Sequence, residues 1–258
     1  MISVVIRAKN QAPALEFLLK NLKARYSEDI DEIIVIDNLS NDNSENIVAE
    51  HHASFVTIRD FSYGGSANLA AQSAKNPIVV LFSAHSYPVS HDFFKVIKKQ
   101  FEGREDLAGV RCLHQPNDYR NYIQNISAEI DPNKSGLIFS GSAFYRPIWK
   151  KIPFDDSVAT FEDKDWTVRV LKAGYKIEFA PAIFSYEIKR TRKQIFQRYK
   201  NDIIGNFQLW GQKVTFKNAI HQFLGSSFNL VKSFFIDFYY IVLRFVFLVK
   251  FVFQKKNN

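Results

Sequence analysis

Asp37 is the residue in the first half of the sequence best placed to bind a ligand. It directly follows the apolar run Ile33–Ile36, so its carboxylate lies where a buried strand ends. A carboxylate there can accept hydrogen bonds from a nucleoside base or from ribose hydroxyls. Asp37, Ser40 or Asp42 can instead cap the next helix, as short polar residues often do. The spacing therefore predicts a nucleoside contact at Asp37, with capping as the alternative.

Three further polar segments also follow short apolar runs. They are Arg7-Ala8-Lys9-Asn10, Phe61-Ser62-Tyr63-Gly64-Gly65 running into Asn68, and Ser83-Ala84-His85. The glycine pair permits close backbone approach, although two glycines alone are weak evidence for a site. The chain has no Walker-type or G-x-G-x-x-G sequence, which weakens the case for an ATPase or an ordinary dinucleotide enzyme.

Alternating strands and helices must position these segments. Apolar runs at Ile2–Ile6, Ile33–Ile36, Phe55–Ile58 and Ile78–Phe82 predict strands. Between them we predict amphipathic or alanine-rich helices, for example where leucines recur at positions 15, 18, 19 and 22. This order predicts an α/β fold with a mostly parallel sheet flanked by helices. Such sheets bind ligands beyond the carboxyl ends of their strands, which is where the polar segments lie.

The second half of the chain is predicted to be more irregular. Gly136–Tyr145 and Lys176–Ala180 are typical of strands, and Glu162–Lys172 is typical of a helix that ends before Gly174. Lys189–Trp210 predicts a long basic helix.

Charge and apolar residues concentrate at the C-terminal end. The net charge is +8, but the residues from Lys189 onward carry 13 Lys and Arg against 2 Asp and Glu. Ser233–Phe253 contains 15 Leu, Ile, Val or Phe among 21 residues, interrupted by Asp237, Arg244 and Lys250. Its length would suffice to cross a bilayer, yet the charges favour a helix lying at the membrane interface. A helix packed on protein is the third alternative.

The remaining composition bears on the cellular location. Cys112 is the one cysteine and lies in an apolar run, which predicts a buried inert thiol and no disulfide. No charged segment followed by an apolar one opens the sequence, so we expect no secretory signal. We expect a cytoplasmic protein, peripheral or monotopic on the cytoplasmic face of the membrane. No nucleic-acid-binding module is recognisable, so nucleic acid is not an expected partner.

Four motifs, in order, resemble those of the inverting glycosyltransferases of family 2, which have the GT-A fold. They are the opening strand and loop at residues 2–10, the second strand and loop at 33–42, the segment Gly64-Gly65-Ser66-Ala67-Asn68, and an acidic motif at Glu162-Asp163-Lys164-Asp165-Trp166 with Arg169 and Gly174-Tyr175. The resemblance spans about Ile2 to Ala182. Each motif alone is loose, whereas four in this order and spacing are specific.

The resemblance implies a reaction of the hexosyltransferase class. A nucleoside-diphosphate sugar would lie across the sheet edge, and a carboxylate would deprotonate the attacking hydroxyl of a lipid-linked or cell-envelope glycan with inversion. By position in the motif the general base is Asp163, with Glu162 as the alternative; both can instead be acidic residues of a helix's first turn. The donor-binding residues that the resemblance and the loops together predict are Arg7, Ala8, Asn10, Asp37, Ser40, Gly64, Gly65 and Asn68.

Two departures from the family pattern concern the metal. An Asp-x-Asp-like pair usually follows the fourth strand and holds a divalent cation, Mn²⁺ or Mg²⁺, but the segment here ends in His85, which can still ligate an Mn²⁺-type metal through its imidazole. The family often places a second ligand, a histidine, where this chain has Phe184-Ser185-Tyr186-Glu187. A basic run follows, and we hypothesise that Lys189, Arg190 or Arg192 neutralises part of the leaving diphosphate. The run can alternatively face anionic lipid.

These expectations define one GT-A domain at residues 1–210 and a basic, apolar, membrane-associating helical extension at 211–258. A catalytically degenerate binding protein and a nucleotidyltransferase remain the alternatives. Release of pyrophosphate rather than a nucleoside diphosphate would identify the latter.

Overall fold

A computed structural model describes residues 1–254 of the chain, where eight strands and ten helices form. The strands are β1 (Ile2–Ala8), β2 (Glu32–Asp37), β3 (Ser54–Thr57), β4 (Ile78–Ser83), β5 (Ser86–Pro88), β6 (Leu107–Leu113), β7 (Ser142–Tyr145) and β8 (Lys176–Tyr186). The helices are α1 (Ala12–Tyr26), α2 (Ser44–Glu50), α3 (Tyr63–Ser73), α4 (Phe93–Phe101), α5 (Pro116–Ile123), α6 (Pro132–Ser135), α7 (Arg146–Lys151), α8 (Glu162–Lys172), α9 (Arg192–Trp210) and α10 (Phe216–Gln254).

The strands form one mixed sheet in the order β3-β2-β1-β4-β7-β6-β8-β5. β3, β2, β1 and β4 run parallel, and β6 pairs with β8 in parallel. β7 lies antiparallel between β4 and β6, and the short β5 pairs antiparallel with β8. The predicted α/β fold with a mostly parallel sheet is confirmed. The parallel half brings the ends of β1, β2 and β4 to one edge, since Ala8 pairs with Asp37 and Arg7 with Ser83.

Helices cover both faces of the sheet, which is why its central strands are apolar on both sides. Val4 and Ile6 pack into the cluster that contains the leucine face of α1, whereas Val5 packs with the alanines of α3 on the opposite face. The four leucines that predicted α1 are all buried. Cys112 is buried as expected, and burial raises the pKa of its thiol.

The predicted strand at Gly136–Tyr145 is wrong over most of its length, because only Ser142–Tyr145 joins the sheet. Side chains take the backbone N–H groups that a strand would use. Leu137 N–H donates to Thr167 Oγ1 at 3.0 Å, and Phe139 N–H donates to Asp163 Oδ2 at 3.1 Å. The segment is therefore bonded to α8 instead of to a neighbouring strand.

The chain divides into two compact units, of which the first is Met1–Trp210 and the second begins at Gly211. The second unit contains the 39-residue helix α10. None of the helices within residues 1–254 combines the length and the apolar character needed to cross a membrane.

Candidate active site

A cleft of about 1090 Å³ opens in the first unit where the strands end. Its walls include the ends of β1 and β6, the loop after β4, the start of α8 and one face of α9. Five of the residues predicted from the sequence line it: Arg7, His85, Glu162, Asp163 and Arg190. Glu162 and Asp163, two of the three carboxylates of the acidic motif, therefore share a cleft with His85 and with the predicted cations Arg7 and Arg190.

Arg7 and Glu162 form a buried ion pair at the floor of this cleft. Arg7 Nη1 lies 3.1 Å from Glu162 Oε1, and the two side chains are 13% and 6% exposed. The guanidinium also donates to Ser66 Oγ at 3.2 Å and to the Phe139 carbonyl at 2.7 Å. One side chain at the end of β1 thus holds α3, α8 and the irregular segment before β7 together. These bonds already use the guanidinium, so a donor that contacts Arg7 would share it with Glu162, Ser66 and Phe139.

Glu162 has an unusually high proton affinity for a carboxylate. Burial and the neighbouring charge of Asp163 raise its pKa to about 7, while Arg7 acts in the opposite direction. Near neutral pH Glu162 therefore exists in both its protonated and its ionised form.

Asp163 lies at the start of α8, and two backbone amides hold its carboxylate. Its Oδ2 accepts from Phe139 N–H, and its Oδ1 accepts from Lys164 N–H at 2.8 Å. The helix begins directly after Phe161, which has a left-handed conformation with φ of 67°. Each carboxylate oxygen can accept a second hydrogen bond, so Asp163 keeps acceptor capacity toward the cleft that it lines.

His85 has the environment expected of a neutral ligand. Its Nδ1 lies 2.8 Å from Gln11 Oε1, and its buried Nε2 has no hydrogen-bond partner. Burial, followed by the positive charges of Arg190 and Arg7, lowers the pKa of the imidazole to about 4. The ring is therefore neutral at physiological pH, and the lone pair of its Nε2 has no partner. Within residues 1–254 no three His, Cys, Asp or Glu side chains come together as a metal site, so His85 would be a single protein ligand.

Asp37 lies at the same edge of the sheet but outside the walls of the cleft. It is 3% exposed; its Oδ2 accepts from Ser40 N–H at 2.7 Å, and its Oδ1 is buried without a partner. An unpaired buried acceptor costs stability, so this oxygen is poised for a donor such as a base N–H or a ribose hydroxyl. Asp163 thus lines the cleft and Asp37 does not.

Asn10 and Ser40 join the two loops that flank Asp37. Asn10 N–H donates to Ser40 Oγ at 2.8 Å, and Asn41 N–H donates to Asn10 Oδ1 at 2.9 Å. Ala8 lies at the end of β1, and its carbonyl accepts from Asn38 N–H. Asp42 accepts from Ser44 N–H at the start of α2 and from Ala12 N–H at the start of α1, although the N-cap position of α2 is Asn43. None of Ala8, Asn10 and Ser40 lines the cleft.

Gly64, Gly65 and Asn68 do not line the cleft, and the contacts that the structure gives them are made within the chain. Asn68 Nδ2 donates to the Phe154 carbonyl and to Asp156 Oδ1, and its Oδ1 accepts from Trp149 Nε1 and Phe154 N–H. Its amide has no hydrogen-bonding capacity left for a donor sugar. The close approach that the glycines allow is made by this chain, since a Cβ on Gly64 would lie 2.4 Å from the Asp155 carbonyl oxygen, and one on Gly65 would lie 2.7 Å from Ser62 Oγ.

Gly64→Ala is expected to destabilise the first unit by about 2 kcal/mol, because the added methyl group forces the backbone at Asp155 to move. Denaturant unfolding measures this loss. Gly225→Ala is the matched control, since a Cβ there meets nothing within 4 Å. An unchanged unfolding midpoint for Gly64→Ala would contradict the tight contact.

Of the three basic residues predicted to neutralise a diphosphate, only Arg190 lines the cleft. Its Nη2 lies 3.0 Å from the Tyr186 hydroxyl, and the Tyr186 ring also packs edge-on against His85. Lys189 and Arg192 are exposed and lie outside the cleft walls. Of the three, Arg190 is therefore the residue placed to neutralise the leaving diphosphate.

Sequence reasoning missed a buried cluster at the end of β6. Arg111 donates to Asp118 Oδ1 at 2.7 Å, and His114 Nδ1 lies 2.6 Å from Asp118 Oδ2. Burial opposes ionisation of Asp118, but bonds from His114 and charge from Arg111 outweigh it and lower its pKa to about 2. Arg111 and His114 both line the cleft. The sequence did contain a signal, because polar residues directly follow the apolar run of β6. Nothing in the sequence indicated that Asp118 would pair with them.

Comparison with known proteins decides the family. The model described as "Glycosyl transferase family 2" matches residues 3–167. The chain belongs to glycosyl transferase family 2. As a family 2 glycosyltransferase it is a divergent one, because the segment after β4 lacks the usual carboxylate pair and ends in His85.

Two relatives are similar in sequence to this family 2 chain. An uncharacterized glycosyltransferase of Methanocaldococcus jannaschii is 21% identical over 282 residues, covering 100% of this chain and 94% of the relative. The O-antigen chain rhamnosyltransferase RfbN of Salmonella typhimurium is 24% identical over 191 residues, covering 66% of this chain and 61% of the relative.

Two solved structures establish the GT-A fold. A mannosyltransferase from Pyrobaculum calidifontis, in complex with GDP-mannose and Mn²⁺, superposes with a TM-score of 0.64 at 19% identity, covering 83% of this chain and 65% of that one. Glucosyl-3-phosphoglycerate synthase from Mycobacterium tuberculosis, in complex with Mn²⁺, UDP and glucosyl-3-phosphoglycerate, gives 0.61 at 15% identity, covering 83% and 81%. Both neighbours were solved in complex with a nucleotide or nucleotide sugar and Mn²⁺.

Proposed function

We propose that this glycosyltransferase moves a hexosyl unit from a nucleoside-diphosphate sugar to an acceptor hydroxyl, with inversion. The observation that carries the proposal is the cleft in which Asp163 and Glu162 face the same space as His85 and Arg190. A proton acceptor and groups suited to a departing diphosphate are the two requirements of direct displacement at the anomeric carbon. The structural neighbours include a mannosyltransferase and a glucosyl-3-phosphoglycerate synthase, which supports a hexose donor.

We assign Asp163 as the general base and Glu162 as its positioning partner. A base has to be within hydrogen-bond reach of the attacking hydroxyl, and Asp163 is the more accessible of the two carboxylates. The Oε1 of Glu162 is already engaged by Arg7 in a nearly closed environment. Backbone amides fix the carboxylate of Asp163, which reduces the reorganisation needed when the acceptor binds.

For the donor, we propose that its base or ribose binds Asp37 and its diphosphate lies beside Arg190 and His85. The free Oδ1 of Asp37 supports the first contact. His85 is the residue that would hold a divalent ion, which would add positive charge at the diphosphate. A single imidazole implies that the donor itself and water would supply the remaining ligands.

His85→Ala is expected to weaken Mn²⁺ binding by about tenfold or more, since it removes the one protein ligand proposed for the ion. Calorimetric titration of Mn²⁺ into the donor-bound protein measures this. His91→Ala, which alters an exposed histidine on another loop, is the control. Equal Mn²⁺ affinity in the wild type and in His85→Ala would show that His85 is not a metal ligand. Full activity in EDTA would show that the diphosphate is neutralised without metal, by Arg190.

We also propose that α10 attaches the enzyme to the cytoplasmic face of a membrane. Asp237 and Arg244 are seven residues apart, which places them on one face of a helix, and Asn229, Ser233 and Tyr240 share that face by the same spacing. Phe, Ile, Leu and Val predominate on the opposite face, which is interrupted by Lys217 and, near its edge, by Lys232 and Lys250. A helix of this kind lies in the interface, with its charges toward water. Such a location supports a lipid-linked or cell-envelope glycan as the acceptor, and hence a role in polysaccharide biosynthesis.

The experiment that tests the proposed reaction is a panel of nucleoside diphosphates and their sugars, with and without Mn²⁺. We expect one nucleotide family to raise the melting temperature, and the matching sugar donor to release a nucleoside diphosphate when acceptor lipid is present. Release of pyrophosphate would identify a nucleotidyltransferase instead. Donor binding without hydrolysis or transfer to any acceptor would identify a catalytically degenerate binding protein.

A further inference from the structure

The helix α9 presents two chemically opposite faces, and only one belongs to the cleft. Its inward face is polar, since Gln194, Gln197, Arg198, Asn201 and Asp202 all line the cleft. Gly205 continues this face and is buried, where an added Cβ would lie 2.7 Å from the Phe161 ring and from Thr160. The tight contact at Gly205 therefore fixes which side of α9 faces away from the domain.

The outward face of α9 combines exposed aromatic and basic side chains. Phe196 is 61% exposed and Phe207 is 57% exposed, and Ile204 at the edge of the same face is 45% exposed. Three exposed cations share this face by helical spacing: Arg192, Lys193 and Lys200. Lys200 Nζ lies over the Phe196 ring at 5.3 Å. Asp202, the one acidic residue of α9, is on the inward face, so the outward face has a purely positive charge.

We infer that this outward face of α9 docks on an anionic lipid bilayer. A helix that places Phe beside Lys and Arg on one face has the composition of an interfacial helix, in which rings enter the headgroup region and cations meet phosphates. Protein interfaces are depleted in lysine, so the two lysines favour lipid over a protein partner. The surface is also continuous in sequence with the apolar helix α10, which begins six residues after α9 ends.

The consequence of this docking for acceptor choice rests on the proposed function. A helix is about 10 Å across, so a bilayer in contact with the outward face would lie one helix diameter from the cleft that the inward face lines. An acceptor hydroxyl carried on a lipid headgroup could then reach Asp163 while its acyl chains stay in the membrane. The fold would thereby select membrane-borne acceptors over soluble ones.

A site-specific fluorophore tests the contact in the full-length protein. The one native cysteine, Cys112, is buried, so Lys200→Cys can be labelled selectively with an environment-sensitive dye. Vesicles of phosphatidylcholine with phosphatidylglycerol should shift the emission to the blue and raise its intensity several-fold. The same dye at Lys99→Cys, on the exposed side of α4, should not respond. Inorganic phosphate alone should leave both spectra unchanged.

A second variant separates docking from catalysis. Phe196→Gln with Phe207→Gln should lower partition onto the anionic vesicles about tenfold or more, since two exposed rings no longer enter the interface. Binding of a nucleoside diphosphate should stay at the wild-type value. The inference is overturned if the dye at position 200 does not respond while the protein still sediments with vesicles, because α10 alone would then make the contact. If the wild-type protein bound no nucleoside diphosphate, the proposed function would be overturned instead.

Discussion

Asp163→Asn is expected to lower the turnover number by about 10³-fold at saturating donor, because the amide cannot take a proton from the acceptor hydroxyl. The substitution keeps the shape of the side chain and one oxygen that can accept from Phe139 N–H. Donor affinity should therefore stay close to the wild-type value. Steady-state kinetics with the acceptor varied, together with calorimetry for the donor, separates the two effects.

Asp165→Asn is the matched control for this experiment. Asp165 lies in the same helical turn and pairs with Arg169 at 2.7 Å, but it does not line the cleft. We expect nearly normal turnover from this variant. Normal turnover in Asp163→Asn with a severe loss in Glu162→Gln would transfer the role of base to Glu162, the alternative that its pKa of about 7 leaves open.

Arg7→Ala is expected to lower the free energy of unfolding by about 3–5 kcal/mol at pH 8, since it removes the cation of Glu162 together with the buried bonds to Ser66 and to the Phe139 carbonyl. Denaturant unfolding measures the loss. Arg25→Ala removes an exposed arginine that donates to the Val89 carbonyl at 2.9 Å and lies over the Tyr26 ring, and it should cost about 0.5 kcal/mol.

The deficit of Arg7→Ala should shrink as the pH falls. Glu162 has a pKa of about 7 in the folded chain against 4.5 for an ordinary glutamate, so the folded state holds this proton more tightly. The stability that this proton gives is present below pH 4.5 and is lost as the pH rises through 7. Arg7 lowers the pKa of Glu162, so without Arg7 the loss extends above pH 7 and the deficit is largest there.

A double-mutant cycle isolates this pair from the other bonds of Arg7. With Glu162→Gln in place, Arg7→Ala should cost at least about 1 kcal/mol less at pH 8 than it does in the wild type. Equal costs in both backgrounds, or a deficit that does not depend on pH, would contradict the buried ion pair.

The parallel half of the sheet was predictable because its strands are buried on both faces and are therefore continuously apolar. The same patterns located the loops of Asp37 and His85, since ligand-binding residues follow strand ends. The leucine spacing of α1 indicated a helix because all four leucines enter one core. These are local signals that a short window of sequence contains.

The contacts that build the cleft were not predictable, since they join distant parts of the chain. Arg7 and Glu162 are 155 residues apart, and each by itself looks like a surface charge. Residues 137–139 have the composition of a strand, but their N–H groups bond to Thr167 and Asp163. Asn68 matched a family motif, yet its amide is used entirely by residues 149–156. Motif position alone could not separate ligand contact from internal bonding.

The orientation of α9 could not be predicted from the sequence either. Its basic composition was evident, but the pattern does not say which face meets the domain. Only the buried Gly205 and its contact with Phe161 establish that the amides face the cleft and the aromatic rings face away. A conventional amphipathic interpretation would have buried Phe196 and Phe207 instead.

A crystal structure of the protein with its nucleoside-diphosphate sugar tests the central claim most directly. We expect the nucleoside at the free oxygen of Asp37, the diphosphate beside His85 and Arg190, and the anomeric carbon facing the carboxylate of Asp163 across the cleft. A donor whose anomeric carbon is separated from Asp163 by protein, or one bound away from this edge of the sheet, would contradict the account.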